Sequence, residues 1–145
     1  MPDSRPRDRY GRPLPPGRPD ELLRDAAPAS IDEVVDRAAA LFDAGRFFEA
    51  HELLERVWKS EDIDPADRSF WKGATQVAVG CCHVQRGNAR GAVALLRRAA
   101  RNLEGTTSRG GIDGSSLMRL ALDLAAQVER GGTAAVRAVP RFPRR

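Results

Sequence analysis

Between residues 30 and 131 the apolar positions recur at intervals of three and four, with no sustained alternation of two, so the chain predicts helices and no sheet. In the stretch beginning Ser30-Ile31-Asp32-Glu33, Ser30 is placed to cap a first turn and Glu33 to reach back to it. Val34, Val35, Ala38, Leu41 and Phe42 then share one face, and Gly45 suits the left-handed residue that ends a helix. A second helix is expected from Phe47 to Ser60, in "FFEAHELLERVW" and the residues after it. Its helical wheel puts Phe47, Ala50, Leu53, Leu54, Val57 and Trp58 inside. His51 falls at their border, Glu55 next out, and Glu49, Glu52 and Arg56 point away. A third helix runs from Pro65 or Asp67 to Arg86, with Phe70, Ala74, Val77, Ala78 and Cys81 as its core arc. A fourth spans Ala89 to Leu103. The glycine-rich "EGTTSRGGIDG" separates it from a fifth, on which Leu117, Leu120, Ala121, Leu124 and Val128 line up. The expected fold is all-α, a compact antiparallel bundle of about five helices.

Two stretches, "DAGRFFEAHELLERVW" and "QRGNARGAVALLRRAA", each place a glycine at a tight turn, then an alanine, then a pair of leucines. That wording is helix-turn-helix repeat-like, although the spacing from Gly45 to Gly87 exceeds the roughly 34 residues of a tetratricopeptide repeat (TPR-like only in outline). The ends differ from the body. Residues 1–29 hold seven of the ten prolines and read as an extended arm laid over the domain, 30–131 as the helical domain, and 132–145 as a short basic tail.

Charge follows the same division. The formal net charge is +4, yet residues 30–136 carry fourteen basic and fifteen acidic groups, while residues 137–145 carry four arginines and no acid. A tail of that kind reads as a solvated terminus. Without aromatic stacking partners it argues against nucleic acid as the partner, and the arginines of the fourth helix, Arg90, Arg97, Arg98 and Arg101, read by default as a solvated face, with an anionic partner as the alternative. The adjacent Cys81 and Cys82 supply neither a disulfide framework nor a metal-ligand spacing, and fit small buried hydrophobes in a reducing compartment. No apolar run approaches the ~20 residues of a membrane span, and the first residues lack the apolar stretch of a secretory signal. A cytoplasmic location is expected.

The candidate chemistry lies in His51-Glu52-x-x-Glu55, which differs from the HExxH of zinc peptidases only in its last residue. In that motif two histidines on one helical face bind the metal and the glutamate acts as base; here the second ligand would be Glu55 and a third would come from His83, the only other histidine. A His51/Glu55/His83 set has the composition of a catalytic zinc or iron site, with Glu52 and Glu55 as candidate acid–base carboxylates. The plainer reading has His51 bonded to Glu55 and packed against Trp58. On the third helix Lys72, Gln76 and His83 form a narrow polar stripe, beside glycines at 73, 80 and 87 that leave a smooth strip for another helix. The His51/Glu55 edge is expected to meet this stripe, either as a buried polar network that fixes register or as a pocket.

The run "AGRFFEAHELLERVWK", followed by "RSFWKGATQVAVGCCHVQRGNARGAVALLRRAARNL", resembles the domain of unknown function 309 family of bacterial and archaeal proteins. The resemblance covers residues 30–105 and rests on Phe48, Glu49, Ala50, His51, Glu52, Glu55, Trp58, Gly73, Gln76, His83, Gly87, Asn88 and Gly91. The arm, with "RDRYGRPLP", resembles that of high-GC actinobacterial members, in keeping with 22 arginines against two lysines. The resemblance implies an all-helical, repeat-like fold and transfers no activity or catalytic assignment.

Two functions stay open, and nucleic-acid binding through the tail and the fourth-helix arginines ranks behind both. One is a cytoplasmic helical module that binds a protein or peptide in the groove between antiparallel helices, its polar motif (His51, Glu55, Trp58, Lys72, Gln76, His83) being structural or binding, with no cofactor. The other is a metal-dependent or acid–base enzyme, hydrolase-like, centred on His51, Glu52, Glu55 and His83, for which a divalent metal would be the cofactor.

Overall fold

A computed structural model describes residues 5–22 and 30–144. Five helices follow one another, α1 (Ile31–Asp43), α2 (Phe47–Lys59), α3 (Arg68–Gln85), α4 (Ala89–Leu103) and α5 (Gly114–Gly131). Two short 3₁₀ turns, Pro65–Asp67 and Thr133–Ala135, precede α3 and follow α5. Among the described residues there is no strand, only three isolated bridges, Arg7 with Pro13, Arg109 with Ile112, and Ile112 with Arg144.

The caps are local chemistry. Ser30 accepts the amide of Glu33, Asn88 that of Gly91, and Asp113 that of Ser116, each satisfying a donor the helix cannot. Gly45 and Gly87 turn the chain with φ of +77° and +75°, a conformation that costs a side-chain-bearing residue. Helix boundaries fall within a residue of expectation at the ends of α2 and α3. Pro65 lies in the 3₁₀ turn, where Asp64 caps Ala66 before α3 proper begins.

Each helix packs on its neighbours in sequence, with α3 central. The direction reverses each time: Gln85 at the end of α3 reaches Gly45 before α2, and Gly80 and Gly73 of α3 meet Leu96 and Leu103 of α4 in opposite order. Phe42, Leu54, Phe70, Leu96, Leu103 and Leu117 are fully buried, and each such side chain contributes about 1.5–3 kcal/mol by leaving water. No helix among the described residues is long and apolar enough to cross a membrane.

Two expectations are corrected. The tail is not a solvated terminus: Phe142 is buried and meets the Phe42 ring edge-on at 5.1 Å, and its amide donates to Asp43 at 2.7 Å. Arg141 and Arg144 pair with Asp43 and Asp36 of α1, so the apolar residue in the middle of the basic run decides where that run lies. Glu49 does not point away either. It is 3% exposed and ion-paired to Arg46 at 2.6 Å, while the Arg46 guanidinium also donates to the carbonyl of Glu21 in the arm. The arm thus covers a face of α2 that a single-helix wheel treats as solvent. Its Gly11 lies so close to Phe48 that a β-carbon there would stand 2.1 Å from the ring, and Arg86 at the end of α3 holds the carbonyl of Tyr10.

Candidate functional site

His51, Glu55 and Trp58 are three to four residues apart, which brings them to one edge of α2. Facing them on α3 are Lys72, Thr75, Gln76 and Val79, and together the seven line a cleft of about 230 Å³, open to solvent on one side. The expected meeting of the two polar edges therefore occurs for five of the six motif residues.

Each side chain is oriented. The Nδ1–H of His51 donates to the Phe48 carbonyl, so the other nitrogen, Nε2, faces Glu55 Oε2 at 3.3 Å. The imidazole also rests edge-on against the Phe48 ring at 4.8 Å, and that ring is in turn covered by the arm. Glu55 also pairs with Lys59, one turn on. The chain has two lysines, and both ammonium groups, Lys59 and Lys72, sit 5.6 Å from the Trp58 ring centroid. Lys72 has no carboxylate partner among the described residues. Gln76 is held from behind by Asn102 of α4 at 2.6 Å, and the Thr75 hydroxyl is spent on the Trp71 carbonyl at 2.8 Å.

His83 is not in the cleft. It shares an angular position with Lys72 on α3 but lies 11 residues further along, about 17 Å of helix axis, beyond the reach of Glu55. Its Nδ1 accepts from the Asn88 side chain at 3.1 Å, and Asn88 in turn caps α4. Gly91 is what lets this close, since a β-carbon there would stand 2.5 Å from Asn88 Nδ2 and 3.0 Å from His83 Nδ1. Burial first, and then the Arg86 guanidinium, hold the His83 pKa below its usual value, which favours the neutral ring that can accept this bond. The three-ligand set His51/Glu55/His83 does not assemble, and among the described residues no three His, Cys, Asp or Glu side chains are arranged to hold a metal. Glu52 is half-buried and does not line the cleft. The thiols are inert by burial, which pushes Cys82 up to about 12 and Cys81 further still.

Thr75 and Val79 were missed by the sequence reading, although both stand three and seven residues beyond Lys72 on the same stripe. Lys59 and Asn102 were missed as well; nothing in sequence spacing connects Asn102 to Gln76.

Every cleft residue and every member of the His83 clasp lies in one segment of the chain. Residues 35–95 match the family described as a domain of unknown function, DUF309. The DUF309 match excludes the arm, α5 and the tail. A search of curated proteins adds a relative in Bacillus subtilis (strain 168), named "Uncharacterized protein YpuF", 34% identical over 105 residues, which are 70% of this chain and 57% of that protein. The aligned part of this chain thus spans somewhat more than half the length of the relative.

Proposed function

We propose that this chain is a helical interaction module of the cytoplasm whose α2–α3 cleft takes up a segment of a partner protein. The observation that carries the reading is the cleft itself, where Trp58 is left partly exposed between two ammonium groups and beside His51, Glu55 and Gln76. An aromatic ring with polar groups converging around it is the usual make-up of a recognition site. In this reading α1–α2 and α3–α4 act as two repeat-like helix-turn-helix units, each turned by a positive-φ glycine, with the recognition groove between them. The enzyme alternative has less to draw on, because of its four residues only His51 and Glu55 share the cleft.

Selection of a random peptide library on the immobilised full chain tests the proposal. Sequences enriched on the wild type should be lost on Lys72→Glu and on Trp58→Ala, and should shift the amide resonances of α2 and α3. Enrichment that survives both substitutions would overturn it. Stoichiometric zinc or iron in the purified protein, lost in His51→Ala, would favour the enzyme instead.

A further inference from the structure

A second charge asymmetry lies on residues that do not line that cleft. Helix α4 carries Arg90, Arg97, Arg98 and Arg101, all exposed, and not one acidic residue, although the body as a whole has more acids than bases. Arg97 is tied to Glu129 of α5, whereas Arg90, Arg98 and Arg101 have no carboxylate partner among the described residues. Arg90, Ala94, Arg97 and Arg101 are spaced by four, three and four, so they form one stripe along the helix.

That stripe borders an apolar groove. Val93 and Ala94 of α4 and Val128 of α5 line a depression of about 470 Å³, with Arg90, Arg97 and Glu129 among its other walls. The groove lies between two antiparallel helices, in the shape that receives a third helix. We propose that it docks an acidic amphipathic helix of a partner protein, apolar side chains seated on Val93 and Ala94 and carboxylates along the arginine stripe.

Charge complementarity selects this occupant. A nucleic acid would use the arginines but gains nothing from an apolar floor, and no aromatic side chain lines the groove for bases to stack on. Two of the tail arginines that could extend a polyanion site, Arg141 and Arg144, are instead paired on α1. This surface is separate from the α2–α3 cleft, and the two readings stand or fall independently.

The test uses the isotope-labelled full chain and a synthetic peptide of leucine and glutamate in helical register, about 18 residues long so that it can hold a helix. Saturable, salt-sensitive binding with amide shifts confined to α4 and α5 around Val93 and Val128 is expected. The double variant Arg90→Glu/Arg97→Glu, both positions being exposed, should bind at least about tenfold more weakly while keeping its helical circular dichroism. The Val93→Gln variant should also weaken binding, which a purely ionic contact would not show. The proposal fails if a scrambled peptide of the same composition binds equally well, or if duplex DNA binds more tightly. Shifts that map to the α2–α3 cleft, self-association of the protein that blocks the peptide, or the absence of saturation would defeat it equally.

Discussion

Helix α3 has two seams, and they are built in opposite ways. Toward α4 it presents Gly73 and Gly80, whose missing β-carbons would lie 2.8 and 2.7 Å from Leu103 and Leu96, so the two helices close on each other. The end of this seam is clasped by His83, Asn88 and Gly91. Toward α2 it presents Lys72 and Gln76 against His51 and Trp58, and a cleft of about 230 Å³ remains. Both seams share helix α3, which lies inside the matched family segment, and each contains one of the two histidines. Small residues give a contact with no room for a ligand, and large amphipathic ones hold a gap that water or a partner fills.

The comparison breaks most readily at the closed seam. Gly80→Val should cost roughly 1–3 kcal/mol in thermal or denaturant unfolding, because added methyl groups meet the buried Leu96 side chain. A neutral effect would mean that the seam is looser than described. Asn88→Ala removes both the α4 cap and the bond to His83, and a loss of about 1 kcal/mol is expected. Acid should act through the same clasp. Since the His83 pKa is depressed in the fold, the unfolded chain binds the proton more readily; the stability it contributes is present above the ordinary value of 6.5 and is lost as pH falls through the lower folded value. Melting temperature should therefore drop below pH 6.5 in the wild type and drop less in His83→Gln. The open seam should respond least. With His51 and Glu55 side chains 17% and 32% exposed, Glu55→Gln should change stability by no more than about 0.5 kcal/mol. A loss of several times that size would make the His51 edge a structural network like the His83 clasp.

Much of this molecule was legible in its residues. The five helices, the capping residue Ser30 and the turning glycines 45 and 87 follow from preferences within a turn or two, which depend little on the rest of the chain. The His51–Glu55 contact was legible for the same reason, being an i,i+4 pair. His83 was placed in the wrong seam because a wheel records angle and discards distance along the axis. Glu49 was turned the wrong way because its cover comes from an arm residue, Glu21, acting through Arg46, and Val79 was overlooked because the polar stripe was drawn through polar residues alone.

By itself the sequence determined an all-helical chain, its segment boundaries to within a residue or so at several ends, and a polar edge on each of α2 and α3. Only the tertiary structure decided which members of those edges meet, that Phe142 anchors a basic tail on α1, and that α4 and α5 leave an arginine-rimmed groove. Helix formation answers to neighbours three and four residues away, whereas burial and pairing depend on how helices align along their axes and on segments as distant as Asp43 and Phe142.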